Sequence, residues 1–322
     1  MTVRLQIALL VTLLTVATIG CAKSVRRAPI TPGQPARVAE LWQEPTSPRD
    51  LLYGPGGERL APKTRTFAFV AKDTSGWSPG FDVRDGNGLE WSVKLGAEAQ
   101  SEVVTSRILW GLGYHQPPAY YLDTWTLTGT ERGAQPAGRF RAELPNQKVV
   151  GEWSWYENPF VGRPEYGGLI VANVILNSWD WKTSNNKIYE LAEADHGVQR
   201  WFVVRDVGAS LGRTTYPTVL KWLRLRGFGQ GTRNDLPGFE SQGFIRRIDN
   251  GRVEFDYRGI YRDVLNTVRP DDVRWICRRL AALTERQWQD AFRAAGYPTE
   301  QATRYITKIR SKIDQGLRVT TG

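Results

Sequence analysis

Cysteine, histidine and methionine are all scarce: the 322 residues include two cysteines, two histidines and one methionine. Two cysteines cannot build a disulfide framework or a Cys-rich zinc site, and two histidines cannot form a multi-His cage. Any bound metal would therefore be held by oxygen ligands. Neither His115 nor His196 accompanies a GxSxG nucleophile elbow, which argues against a Ser-His-Asp hydrolase.

The body of the chain has no long apolar run of the kind that spans a membrane. Hydrophobic residues make up 41% of the sequence and charged residues 24%, values typical of a soluble globular protein. The length allows one large domain or two lobes that share an interface. No internal repeat of solenoid or propeller period is present.

The N-terminus predicts export. An apolar run from Leu5 to Ile19 follows Arg4 and ends in small residues, and it is shorter than the ~20 residues that cross a bilayer. The segment Thr18-Ile19-Gly20-Cys21 resembles a bacterial lipobox, so Cys21 is the candidate for a lipid anchor on the mature N-terminus. A plain secretory signal and a retained anchor are the alternatives. The expected location is the cell envelope or periplasm, with the protein tethered to the membrane.

The chain is basic, with a net charge of +10. Loss of residues 1–20 would remove one charged residue, Arg4, and leave a net charge of +9. The surface should therefore attract anions. Arg304, Lys308 and Lys312 share one stripe of a predicted helix, which we interpret as a solvated face. No nucleic-acid-binding module is recognisable, and no nucleic-acid partner is expected.

The pattern predicts four segments: a signal peptide at 1–20, a Pro/Gly-rich tether at 21–61, and two lobes at 62–150 and 151–322. In the first lobe we predict strands at 66–72, 81–84, 89–95, 119–127 and 138–144, with a helix at 97–112. In the second we predict a buried helix at 168–179, a hairpin at 187–191 and 200–204, and helices from Asp271 onward. Strands first and helices later indicate an α+β fold.

Four polar motifs follow one another at the ends of predicted elements. Lys94 lies near the end of the strand WSVKLG, and Glu98 and Glu102 lie on the helix after it. The loop DWKTSN at 180–185 follows the buried helix, and DVG at 206–208 follows the hairpin. Moving a phosphoryl group needs positive charge on the phosphates, oxygen ligands for Mg²⁺ and a carboxylate that orients the attacking hydroxyl. The four motifs contain all of these residue types.

In this order the motifs resemble those of the protein-kinase-like superfamily, which has a strand lysine, a helix glutamate, a D-x-K-x-x-N loop and a D-x-G motif. The resemblance covers about residues 66–211. It implies an α+β, two-lobed protein-kinase-like fold with a small antiparallel-sheet N-lobe, a mostly helical C-lobe and a nucleotide between them.

The resemblance also implies roles at the site. Lys94 would hold the α- and β-phosphates of ATP, oriented by Glu98 or Glu102, of which we favour Glu102 because it lies a full turn inside the helix. Asp180 would orient or deprotonate the acceptor hydroxyl, and Lys182 would neutralise charge on the transferred group.

The remaining candidates concern the metal and the backbone. Asn185 and Asp206 would bind Mg²⁺, since carboxylate and amide oxygens suit that ion. Gly208 would give the metal-bearing turn its conformational freedom. Gly76 and Gly80, between the first two strands, are candidates for contact with the nucleotide.

The sequence departs from conventional kinases at three points. Ser178 stands where they have histidine, no Ala-Pro-Glu motif follows Gly208, and no G-x-G-x-x-G loop joins the first strands. The chain is more similar to atypical bacterial branches such as spore-coat and HipA-type kinases.

We therefore expect an exported, Mg²⁺-dependent phosphotransferase that uses ATP on an unidentified hydroxyl of a protein, a sugar or a small molecule; nucleotidyl transfer is also possible. The alternatives are a catalytically inactive kinase-like scaffold or binding lipoprotein of the envelope, and a carbohydrate-binding lipoprotein that uses some of the 13 tryptophans. The pair Trp153 and Trp155, however, favours core packing.

Overall fold

The computed structural model describes residues 37–74, 78–131, 133–193, 197–215 and 231–320. Outside these ranges lie the expected signal peptide, the Cys21 anchor, the first half of the tether, Gly76 and His196. In the described part no helix is both long and apolar enough to span a membrane.

Most of the helices and strands that the sequence pattern predicts are present in the structure. The helices are α1 Gly57–Leu60, α2 Glu98–Gly111, α3 Pro164–Ile175, α4 Leu236–Ser241, α5 Pro270–Ala282, α6 Glu285–Arg293 and α7 Thr299–Leu317. The strands are β1 Thr66–Asp73, β2 Gly80–Arg84, β3 Glu90–Leu95, β4 Ala119–Leu122, β5 Trp125–Thr128, β6 Ala134–Gln135, β7 Gly138–Glu143, β8 Gln147–Glu152, β9 Asn186–Glu193, β10 Gly197–Val204, β11 Ile245–Asp249 and β12 Arg252–Phe255.

The smaller lobe is a seven-stranded sheet in the order β4-β7-β3-β2-β1-β5-β6. Its pairs are antiparallel except for β1 and β5, which run parallel. Alternation along the central strands divides the sheet into two faces. Trp91 and Val93 of β3 join Phe140 of β7 in an apolar cluster, while Lys94 and the β7 arginines lie toward α2.

The larger lobe is mostly helical, with two small antiparallel sheets, β10-β9-β8 and the β11–β12 hairpin. Its central helix α3 is buried from Tyr166 to Ile175 and packs on α5, which packs in turn on α7. The α+β, two-lobed class expected from the sequence is confirmed by this arrangement.

Helix α2 packs into the core of the larger lobe. Val103, Val104 and Ile108 are fully buried and join the core of the larger lobe. The hydroxyl of Ser101 donates to the carbonyl of Gly208 at 2.6 Å, and Thr105 shares a hydrogen bond with Ser210 at 2.8 Å. These contacts fix α2, and any side chain directed from it into the cleft, relative to the larger lobe.

Several predicted boundaries need correction. The strand predicted at 119–127 is two strands, β4 and β5, because the chain bends at 123–124. The segment after residue 144, where no strand is predicted, contains β8, which pairs with β9 of the larger lobe. The crossover between lobes is therefore at 144–146, a few residues before the predicted boundary at 150.

The second half of the predicted tether is part of the folded core. Leu41 is 1% exposed and Leu51 is fully buried. The indole of Trp42 donates to the carbonyl of Leu112 at 2.7 Å, and its ring packs edge-on against Trp275. The prolines here shape a segment that covers apolar surface, so only residues before 37 are left as a candidate tether.

Contrary to the prediction, the basic stripe on the last helix is not wholly exposed to solvent, because Lys312 is buried. That prediction was therefore wrong for Lys312. It is 2% exposed, and its ammonium donates to the carbonyl of Ile175 and to Oδ1 of Asn177 at 2.9 and 2.7 Å. Burial lowers the pKa of Lys312 well below its ordinary value. Since Asn177 has a left-handed φ of 52° and ends α3, Lys312 holds the turn that leads into the 180–185 loop.

Trp153 and Trp155, for which the sequence favours core packing, are buried, and so are His115 and Cys277. Trp153 and Trp155 lie in the core, 4.9 Å apart between ring centroids. His115 stacks on Trp201 at 4.4 Å, and burial lowers its pKa to about 4. Cys277 is a buried free thiol.

Candidate active site

An ion pair between β3 and α2 lies at the back of the cleft between the lobes. The Lys94 ammonium is 3.0 Å from Oε2 of Glu102. Glu102 is 2% exposed, and its other oxygen, Oε1, is 2.9 Å from Nε of Arg139 on β7. A carboxylate held by two buried cations is fixed in place, and it holds Lys94 directed at the cleft.

The charge states of this pair follow from its surroundings. Burial alone would lower the pKa of Lys94, but attraction to Glu102 and Asp206 outweighs it and raises that pKa. Burial alone would raise the pKa of Glu102, but Arg139 and Lys94 outweigh it and lower that pKa. Both groups are therefore charged at neutral pH.

Glu98 also approaches Lys94, at 3.4 Å, so the structure brings both candidate glutamates to the lysine. Their surroundings differ. Glu98 accepts from Ser78 at 3.3 Å and pairs with Arg233 at 2.7 Å, and its side chain is 13% exposed against 3% for Glu102. Glu102 is thus the deeper partner, and Glu98 connects α2 with the larger lobe and with the segment before β2.

The loop at 180–185 leaves the buried helix α3 and is held by aromatic packing. The Trp181 ring is stacked between Trp155 and Tyr257, at 5.3 and 4.8 Å between centroids. On the cleft side, Oδ2 of Asp180 accepts from Lys182 at 3.0 Å. Oδ1 of Asp180 is buried and has no hydrogen-bond partner.

Asn185 ends the loop with one side-chain atom fixed and one available. Its Nδ2 donates to the carbonyl of Asp180 at 2.7 Å, which leaves the amide oxygen for a ligand. Its own carbonyl accepts from the backbone amides of Arg205 and Asp206 at 2.9 and 3.4 Å. The loop and the DVG segment are therefore joined directly behind the cleft.

Asp206 meets Lys94 across the cleft, with Oδ1 3.1 Å from the ammonium. Burial alone would raise the pKa of Asp206, but Lys94, Arg141 and Arg205 outweigh it and hold that pKa far below its ordinary value. The carboxylate is ionised at any physiological pH, as a metal ligand must be.

At Gly80 and Gly208, the two glycine candidates that the structure describes, there is no room for a side chain. A Cβ on Gly208 would lie 2.8 Å from Cβ of Glu98 and 3.0 Å from its carbonyl oxygen, and Gly208 does not have a positive φ. We therefore correct its expected role: it allows α2 to pack closely on the DVG segment. A Cβ on Gly80 would lie 2.6 Å from the carbonyl of Val93. Gly76 lies outside the described residues.

These side chains line one cavity of about 340 Å³. Lys94, Asp180, Lys182, Asn185 and Asp206 all line it, as does Gly80. Glu102 lies directly behind Lys94, and Gly208 lies behind the wall. The expected site residues in the described chain are thus brought together.

Four cations that the motif pattern does not include line the same cavity: Arg139, Arg141, Lys187 and Arg205. The alternation in GRFRAE was the available signal, because it places both arginines on the face of β7 opposite Phe140. Lys187 and Arg205 flank the predicted motifs directly, yet neither belongs to the motif pattern.

The donor set suits a magnesium ion bound together with phosphate. The amide oxygen of Asn185 and the carboxylate of Asp206 are hard oxygen donors on two joined segments, and Mg²⁺ commonly takes one or two carboxylates plus water and phosphate oxygens. The described residues include no group of three or more His, Cys, Asp or Glu side chains that could hold a metal alone. Any metal here would need the phosphates of a ligand.

No family model matches the chain, and no curated protein matches it. Among solved structures it is similar to the Helicobacter pylori proinflammatory kinase CtkA, at 13% identity and a TM-score of 0.34, over 78% of this chain and 99% of that one. It is also similar to the Golgi casein kinase, with Mn and ADP bound in one structure, at 9% identity and TM-scores of 0.38 and 0.37, over 84% of this chain and 74% of the other. The solved structures similar to this chain thus include protein kinases.

Proposed function

We propose that this chain is a kinase-like phosphotransferase that transfers the γ-phosphoryl group of Mg²⁺-bound ATP to a hydroxyl group. The observation that carries the proposal is the convergence of Lys94, Asp180, Asn185 and Asp206 on one cavity. These are the charges and oxygen ligands that phosphoryl transfer needs.

Each side chain supports one part of the proposed chemistry. Lys94, held by Glu102, would bind the α- and β-phosphates. Bound Mg²⁺, held by Asn185 and Asp206, would neutralise charge on the phosphates. Lys182 lies beside Asp180 at 3.0 Å and would neutralise the transferred group.

Asp180 would act on the acceptor. The hydroxyl oxygen would form a bond to the γ-phosphorus while the bond from that phosphorus to the β,γ-bridging oxygen breaks, and ADP would leave with the electron pair. The hydroxyl proton would pass to the carboxylate of Asp180, which lines the cavity, and from there to solvent.

The test is incubation of the folded protein with Mg²⁺ and ATP labelled in either the α- or the γ-phosphate, with the protein itself and a panel of hydroxyl compounds as acceptors. The proposal expects transfer of γ label. Transfer of α label would instead indicate a nucleotidyltransferase. Nucleotide binding with no transfer of either label would contradict the enzyme and support the inactive scaffold.

We further propose that the protein is exported and anchored through lipid on Cys21. This rests on the apolar run from Leu5 to Ile19 and the lipobox-like segment at 18–21. Mass spectrometry of the mature N-terminus should find a lipidated Cys21. An unprocessed Met1 would contradict this location.

A further inference from the structure

The inner part of the cleft is lined by cations and lacks the apolar walls that a nucleobase usually finds. Ten of the sixteen residues lining the cavity are charged, and the apolar ones are Gly80, Val93 and Ala209. Ligand pockets that bind flat organic groups are lined mainly by hydrophobic and aromatic side chains. Within the described ranges, no aromatic ring lines this cavity.

The cations on the upper wall come from β7. Arg139 and Arg141 are 1% and 6% exposed, and they lie beside Lys94 and Ser92 in the register of β3 and β7. Arg139 is engaged, since it contacts Glu102 at 2.9 Å and donates to the carbonyl of Ser92 at 2.8 Å. It is mainly a support for the ion pair.

Arg141 is held less tightly than Arg139, because its partners are more distant; its Nη2 donates to Oγ of Ser92 at 3.5 Å. Its nearest carboxylate oxygens, on Glu102, Asp206 and Glu143, lie 3.6 to 3.9 Å away. Its Nε and Nη1 are buried and have no hydrogen-bond partner. A guanidinium buried with two unused donors on a cavity wall is a binding site for a ligand with oxygen acceptors.

The lower wall supplies the facing cations from the larger lobe. Arg205 precedes Asp206 and contacts the hydroxyl of Tyr189 at 3.4 Å, while its buried Nε has no hydrogen-bond partner. Lys187 pairs with Glu152 at 2.6 Å. Six cationic side chains therefore line the cavity against four carboxylates, Asp73, Glu98, Asp180 and Asp206.

We propose that Arg141 and Arg205 form a second anion subsite at the inner end of the cleft, so that the site recognises the phosphate chain of its donor and does not select a base. This inference rests on the proposed function and names its donor class, a polyphosphate chain. Nucleoside triphosphates and inorganic tripolyphosphate share that chemistry. Both would be held by Lys94, the bound Mg²⁺ and the two guanidinium groups, since Lys94 and Arg141 both approach Asp206, at 3.1 and 3.9 Å, and Arg205 precedes it in the chain.

The experiment is isothermal titration calorimetry of the full chain with the Mg²⁺ complexes of ATP, GTP and inorganic tripolyphosphate, and with adenosine. We expect the three phosphate ligands to bind within about threefold of one another and adenosine not to bind. Arg141→Gln and Arg205→Gln should each weaken all three phosphate ligands by about 10- to 100-fold, the range for hydrogen bonds to charged groups.

Two further variants separate a binding role from a structural one. Arg141→Lys keeps the positive charge and should bind the phosphate ligands more tightly than Arg141→Gln does. If Arg141 had only a structural role, restoring its charge would not restore affinity. Arg247→Gln removes an exposed cation from the β11–β12 hairpin and should leave all affinities unchanged, which controls for net charge.

Three results would overturn the inference. Binding of ATP more than about 30-fold tighter than tripolyphosphate, with ATP transfer intact, would refute the base-indifferent site and leave the proposed function standing. Unchanged affinity in folded Arg141→Gln and Arg205→Gln would refute the subsite. Failure of every phosphate ligand to bind would refute the proposed function together with this inference.

Discussion

The Asp206→Asn variant is expected to lose phosphoryl transfer by about 10³-fold or more, the scale on which loss of a group stabilising transition-state charge reduces such reactions. The asparagine keeps the size of the side chain and removes the negative charge that would hold Mg²⁺. It also removes the charge attraction from the Lys94 contact at 3.1 Å. Initial rates with γ-labelled ATP on the variant and the parent measure the effect.

The fold should survive this change, because Lys94 keeps Glu102 and Glu98 as partners at 3.0 and 3.4 Å. Asp249→Asn is the matched control, since it makes the same chemical change at an exposed hairpin position and should leave the rate unchanged. A folded Asp206→Asn variant that transfers phosphate at the parental rate would show that Asp206 is not the metal ligand.

The Glu102→Gln variant is expected to lose about 3–5 kcal/mol of unfolding free energy, the usual cost of removing one partner from a buried ion pair. Glu102 is 2% exposed and compensates Arg139 and Lys94, at 2.9 and 3.0 Å. Without it Arg139, which is 1% exposed, loses its carboxylate partner, whereas Lys94 keeps Asp206 and Glu98. Chemical denaturation gives the free energy, and the melting temperature should fall by roughly 10 °C.

Glu98→Gln is the control that separates the two glutamates. It lies on the same helix one turn earlier, contacts the same lysine and is more exposed, so it should cost clearly less stability. Should Glu98→Gln destabilise the protein more than Glu102→Gln, Glu102 would not be the structural partner of Lys94.

The sequence places Lys94 and Glu102 on the strand and helix where the structure has them, because the signals for these elements are local. Lys94 on a strand and Glu102 on the next helix follow from periodicity, and the bounds of β3 and α2 differ by only a residue or two from those expected. The 180–185 loop was recognisable because it follows a helix, α3, whose residues from 166 to 175 are all buried. Such features need no knowledge of the tertiary contacts.

The features missed depend on contacts between distant segments. Lys312 reads as one member of a basic helical stripe, yet it is buried against Asn177, which is 135 positions away in the chain. Arg141 reads as a strand residue, and only the pairing of β7 with β3 places it beside Glu102. The proline-rich segment before residue 61 reads as a linker, and its packing depends on Trp275, far along the chain.

The position of a bound metal tests the proposed active site most directly. Crystals grown with Mn²⁺ and ADP would locate the ion by its anomalous scattering. We expect a single strong peak at roughly 2 Å from both the amide oxygen of Asn185 and the carboxylate of Asp206, with phosphate oxygens as the other ligands. A phosphate-bound ion that contacts neither side chain, or ADP bound outside the cavity lined by Lys94, would contradict it.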